Sequence, residues 1–132
     1  AETLPGLLRS LSGSDQVLTA LQAAAAPARY RRVGRAVAEL RTLAAGPAGE
    51  HVGRFLAEDD TVIAVMAAAV DVVQADGVVV DPGTDAAAHL RRARRWQHYS
   101  RGPVNALHRS CGADIARGSL RLLASAQRAV GR

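Results

Sequence analysis

Thr61-Val62-Ile63-Ala64-Val65-Met66-Ala67-Ala68-Ala69-Val70-Asp71-Val72-Val73-Gln74-Ala75 is the stretch whose reading decides the fold. Its β-branched residues allow a strand, but the run is longer than an ordinary strand, and Ala64 and Ala67 to Ala69 are strong helix formers. It therefore reads as a helix. Val62, Ile63, Val65, Met66, Val70, Val72 and Val73 leave it almost no polar face, which predicts a central, buried position. Asp71 is the exception. A carboxylate buried on such a helix needs a partner, and the expected one is an arginine of the last two helices. Asp59 or Asp60 is placed to cap the start, and Asp76-Gly77 to end it.

Upstream, Leu4, Leu7, Leu8 and Leu11 recur at helical spacing until Ser12-Gly13 breaks the pattern. Ser14 or Asp15 can cap a second helix with Val17, Leu18, Leu21 and Ala24/Ala25 on one stripe, which Pro27 stops or kinks. From Ala28, Tyr30, Val33, Ala36, Val37, Leu40, Leu43 and Ala44 form an amphipathic helix that Gly46-Pro47 ends. A short helix then turns Val52, Phe55 and Leu56 inward.

Downstream, residues 78–85 read as an extended connection with a turn at Pro82-Gly83. Asp76, Asp81 and Asp85 lack the alternating spacing of a calcium loop and suit caps and turns instead. Thr84 or Asp85 caps a helix carrying Arg91-Arg92-Ala93-Arg94-Arg95-Trp96. Pro103, at a first-turn position, starts a last helix to Val130, the longest expected. Gly112 and Gly118 weaken that helix, so they mark close crossings with neighbours. The sum is an all-α single domain over 1–132, a bundle of five to seven helices with a long C-terminal helix.

Composition agrees. A chain of 132 residues, 48% hydrophobic, can bury a core without staples, and with 28 alanines and 3% aromatics that core must be thin. All 17 basic residues are arginine, a bias that a GC-rich genome produces without any functional cause. The absence of lysine excludes a P-loop, a Schiff-base lysine and a kinase-type strand lysine. One cysteine excludes an internal disulfide and fits a reducing cytoplasm. No signal peptide is visible, and the most apolar window carries too many polar residues to span a membrane. The expected location is the cytoplasm, with the membrane periphery as an alternative. The missing initiator methionine suggests a piece of a longer protein.

Charge is segregated. Residues 1–57 hold seven Arg and four acids, residues 58–85 seven acids and no Arg, and residues 86–132 ten Arg and one acid, Asp114. Either the acidic middle packs beside the basic end, or a basic face is left for phosphates or an acidic partner. Arg91, Arg92, Arg94, Arg95 and Arg101 are the expected partner-contact residues. Trp96 could stack on a nucleic-acid base, but its helical position suits a core anchor flanked by arginines. His108 and Cys111 could share a face, with His89 or His98 as a third ligand. The tight paired spacing of a zinc site is missing, however, so no metal or other cofactor is expected. No set of side chains matches an acid–base or nucleophilic catalyst.

Trp96, Pro103, Asn105, Arg109-Ser110-Cys111 and Arg117-Gly118-Ser119 carry a resemblance. Residues 88–125 resemble the C-terminal helical segment of actinobacterial dynamin-like GTPases of the isoniazid-inducible kind. Those segments also run from a Trp through arginines to Pro-x-Asn, Arg-x-Cys and Arg-Ser. Here the Pro103–Cys111 spacing is shorter, Gly118 interrupts the Arg–Ser pair, and nothing supplies a nucleotide-binding domain. The resemblance implies a helical stalk or bundle element that mediates assembly or contacts a membrane-remodelling GTPase. It brings no catalytic residue.

The expectation is thus a non-enzymatic interaction or oligomerisation module. Its partner would be a protein, a second copy or an acidic membrane surface, with nucleic acid as a further reading. The alternative is a small helical enzyme or ligand-binding domain that holds an anionic metabolite between arginines, Arg35 and Arg117 among them.

Overall fold

The computed structural model describes residues 3–47 and 49–131. They form α1 (Leu4–Ser12), α2 (Ser14–Ala44), α3 (Gly49–Ala57), α4 (Asp59–Ala75), α5 (Ala86–Arg101) and α6 (Ala106–Val130). No strand occurs among the described residues. The fold is an all-α bundle with a long C-terminal helix, as the periodicities predict.

Helix α4 is central. It packs against α6 on one side and α2 on the other, α5 lies on the far side of α6, and α3 bridges α2 and α4. Its Met66, Ala69, Val72 and Val73 are buried against Trp96, Cys111 and Ile115. The two glycines of α6 explain how closely the helices approach. A Cβ on Gly112 would lie 3.0 Å from the Ser100 Cβ of α5, and one on Gly118 would collide with Met66 of α4. Both crossings exist because the side chain is absent.

Several details differ from the expectations. Helix α2 runs unbroken through Pro27, so at 31 residues it, not the 25-residue α6, is the longest helix. Pro27 lacks the N–H that would bond one turn back, but four consecutive alanines precede it, and Arg29 Nη2 donates to the Gln22 carbonyl at 3.3 Å beside the gap. Pro103 lies in the α5–α6 connection. Asn105 is the cap of α6, its Oδ1 accepting from the His108 N–H at 2.8 Å. Helix α4 starts two residues earlier than expected, at Asp59.

Asp71 is exposed rather than buried, and its partner is Arg29 of α2 at 3.9 Å, not an arginine of α5 or α6. Phe55 faces outward on α3. The largest departure concerns α1. It touches only α2, with Gly13 (φ 67°) as the joint between them, and no residue of α1 is buried.

Candidate interaction surfaces

The segment 78–85 is folded back by its own acids. Asp81 Oδ1 accepts from the Gly83 N–H at 2.9 Å, and Asp85 Oδ1 caps α5 by accepting from the Ala88 N–H at 2.7 Å. Below this turn lies Arg92. Its Nη1 donates to the carbonyls of Asp81 and Gly83 at 2.8 and 2.9 Å, its Nε to Ser119 Oγ at 3.0 Å, and its Nη2 to His89 Nδ1 at 2.5 Å. Since arginine can only donate, His89 Nδ1 is the acceptor and carries no proton. Arg92 is 4% exposed and so does not belong to the expected contact surface. It locks the 78–85 turn onto α5 and α6. Burial pulls its pKa down and the charge of Asp81 pulls it back. The signal was present in the spacing: Ala88, His89, Arg92, Ala93 and Trp96 form the buried stripe of α5, and Arg92 stands one turn before the tryptophan.

The other four arginines of the expected set face outward. Arg91 pairs with Asp81 at 3.5 Å. Arg94, Arg95 and Arg101 are exposed and have no carboxylate partner among the described residues. Arg94 and Arg101 border a groove of about 410 Å³ between α5 and α6, floored by Leu90, Ala93 and Ala116. The acidic middle thus answers the basic end only in part: Asp59 holds Arg121 and Arg128 at 3.4 and 2.9 Å, and Asp76 accepts from His108 at 2.6 Å.

Trp96 is 1% exposed, in T-shaped contact with Tyr99 at 4.8 Å, and so cannot stack on a nucleic-acid base. Arg95 lies 6.0 Å from its ring, at the outer limit of a cation–π contact. Beside it, Tyr99 Oη and Asp76 bracket His108, at 2.7 Å from Nδ1 and 2.6 Å from Nε2. This chain ties the end of α4 to α5 and α6. Cys111 is buried, and burial pushes its thiol up to about 11, which makes it a core residue rather than a nucleophile. Among the described residues no three His, Cys, Asp or Glu side chains stand together as a metal site.

A second cavity, about 380 Å³, opens between α2, α4 and α6 with Leu56 of α3 at one side. Arg117 lines it, but Arg35 does not. Arg41 and Arg121 do, and nothing in the local sequence marks them. Inside it Tyr30 Oη donates to Asp114 Oδ2 at 2.6 Å, and Arg117 Nη1 donates to Asp114 Oδ1 at 2.6 Å. Burial, then the bond to Asp114 and its charge, push the Tyr30 hydroxyl far up, so it stays a donor.

The third surface is apolar. Leu4 and Leu11 of α1 are 71% and 81% exposed, and Leu21 of α2 is 62% exposed. Leu7, Leu8, Val17 and Leu18 are exposed with them. The helical spacing of these residues predicts two helices, and both form, yet nothing among the described residues covers their apolar faces.

The chain matches no family model, no curated protein and no solved structure. No helix among the described residues is long and apolar enough to cross a membrane.

Proposed function

We propose that this chain is a non-enzymatic helical interaction module that self-associates through the arm formed by α1 and the first half of α2. The uncovered stripe from Leu4 to Leu21 carries the reading. Exposed apolar residues are ordinary when scattered, but a group of large ones concentrated between Leu4 and Leu21 on two touching helices fits a surface that is covered in use. Its charge selects the occupant. From Leu4 to Ala26 the arm holds one arginine, Arg9, and one acid, Asp15. A helix that lies on an anionic membrane carries a basic polar face, which this arm lacks. An acidic partner would find no complementary charge on it. The same stripe on a second copy is equally apolar and near-neutral, so two copies can bury it reciprocally about a two-fold axis.

The test is light scattering on the eluting protein from micromolar to submillimolar concentration, with Leu11→Glu/Leu18→Glu as the variant. The expected result is a concentration-dependent oligomer for the wild-type chain and a monomer with unchanged helicity for the variant. A wild-type chain that stays monomeric throughout, or a variant of equal mass, would defeat the reading.

A second reading rests on the α5 face. Arg94, Arg95 and Arg101 lack carboxylate partners among the described residues, and two of them border the α5–α6 groove. This face suits an acidic helix of a protein partner, with Arg91 at its edge. It also falls inside the segment that resembles the helical end of dynamin-like GTPases, whose assembly is one setting for such docking. Neutralising Arg94, Arg95 and Arg101 should weaken capture of that partner and its salt dependence while leaving self-association intact. Unchanged capture would remove this reading.

A further inference from the structure

The cavity between α2, α4 and α6 has the make-up of a ligand site: an apolar wall with a few converging polar groups. Val37, Val62 and Val65 supply the wall, and Arg41, Arg117 and Arg121 bring three guanidinium groups to it from two helices distant in sequence. The charge does not cancel. Among the described residues Asp114 is the one acid lining the cavity, and both of its oxygens are committed, one to Tyr30 and one to Arg117. Asp59, the partner of Arg121 at 3.4 Å, is held more closely by Arg128 at 2.9 Å. Arg121 can therefore turn to a ligand without leaving Asp59 alone. Arg41 makes no hydrogen bond or ion pair among the described residues. Each guanidinium has five N–H donors in a planar fork, and most of those here are unused.

We propose that this cavity binds a small amphipathic oxyanion, with an apolar body against Val37, Val62 and Val65 and its head group held between Arg41 and Arg121. The head can be a carboxylate or a phosphate monoester, since both accept paired N–H bonds from arginine. The volume of about 380 Å³ suits a ligand near the small end of the usual range. The Tyr30–Asp114–Arg117 cluster, fixed by its own bonds, forms the inner wall and leaves the outer two arginines to the ligand.

The experiment is a titration of the intact chain, followed by amide shifts in NMR, with four probes: octanoate, octyl phosphate, octanol and inorganic phosphate. Octanoate or octyl phosphate should shift the amides of Gly34, Val62 and Ser110 and bind at least tenfold more tightly than octanol or inorganic phosphate. Which of the two binds better identifies the head group. Two variants test the location. Arg41→Ala removes a side chain that makes none of the described bonds, and should weaken binding at least fivefold. Gly34→Leu puts bulk into the cavity where a Cβ meets nothing within 4 Å, and should abolish binding with the fold intact. Octanol binding as tightly as octanoate, or inorganic phosphate as tightly as octyl phosphate, would overturn the proposal. So would shifts confined to α1 or α5, or unchanged affinity in both variants.

Discussion

Gly118 on α6 faces Met66 on α4 so closely that a Cβ on the glycine would lie 2.5 Å from the Met66 Cβ and 2.8 Å from its Cγ. The Met66 Cβ is fixed to the backbone, so the methionine cannot swing away and the helices themselves must part. The close α4–α6 approach at this point therefore depends on the missing side chain.

Gly118→Ala should therefore destabilise the fold. Relief of glycine's low helix propensity is worth about 1 kcal/mol, but overpacking a core crossing costs about 1–3 kcal/mol. Gly53→Ala in α3, where a Cβ meets nothing within 4 Å, should instead stabilise by up to about 1 kcal/mol. Urea denaturation of the two variants checks the opposite signs.

Arg92 predicts an asymmetry within one run of arginines. Arg92→Lys cannot reproduce all four bonds and leaves the part-buried carbonyls of Asp81 and Gly83 and the buried acceptors of Ser119 and His89 underserved, a loss of about 2 kcal/mol. Arg95→Lys, at an exposed position, should stay within about 0.5 kcal/mol of the wild-type chain. Thermal melts at one pH separate them.

That asymmetry also shows where the sequence was legible. The helices α1, α2 and α4 could be read because their apolar side chains recur at helical spacing, and in α4 that spacing also marked burial. Arg92 occupies a buried position four residues before Trp96, but a guanidinium implies solvent until its four acceptors are known, and three of those lie off α5, in the turn and on α6. Asp71 erred the other way: its apolar neighbours implied burial, while its own position is exposed and pairs with Arg29 of α2. The cavity was invisible for a different reason. Arg41 and Arg121 lie 80 residues apart on α2 and α6 and line one cavity only once the helices are packed together. The leucines of α1 were correctly read as one helical face, but periodicity cannot say whether anything in the chain covers that face.

Asp81 gives the fold a specific acid sensitivity. The Gly83 N–H holds its carboxyl below the usual range; burial opposes this, and the Arg91 charge adds to the lowering. A carboxylate lowered in the folded state stabilises it fully above the unfolded value of about 3.9, and the contribution is lost as pH falls through the lower folded value. Asp81→Asn keeps an acceptor for the Gly83 N–H but loses the charge. Its stability deficit should be present at about pH 7 and shrink below about pH 4, as read from urea midpoints across that range. A deficit independent of pH would show that the charge does not matter.

Cys111 should be silent toward thiol reagents. Burial keeps it a thiol, with its pKa pushed up to about 11. At about pH 8 its modification rate should equal the rate of unfolding and rise with urea. Rapid modification of the native chain would place the sulfur at the surface.

Self-association through the α1–α2 arm is tested most directly by interchain relaxation enhancement. A spin label at Ser10→Cys on an unlabelled copy is mixed with an isotope-labelled copy, and amide broadening is mapped on the second. The arm predicts broadening at Leu7, Leu11, Val17, Leu18 and Leu21 of the labelled copy, lost when Leu11→Glu/Leu18→Glu is introduced into both. Broadening centred on Arg94, Arg95 and Arg101, or none at submillimolar concentration, would contradict it.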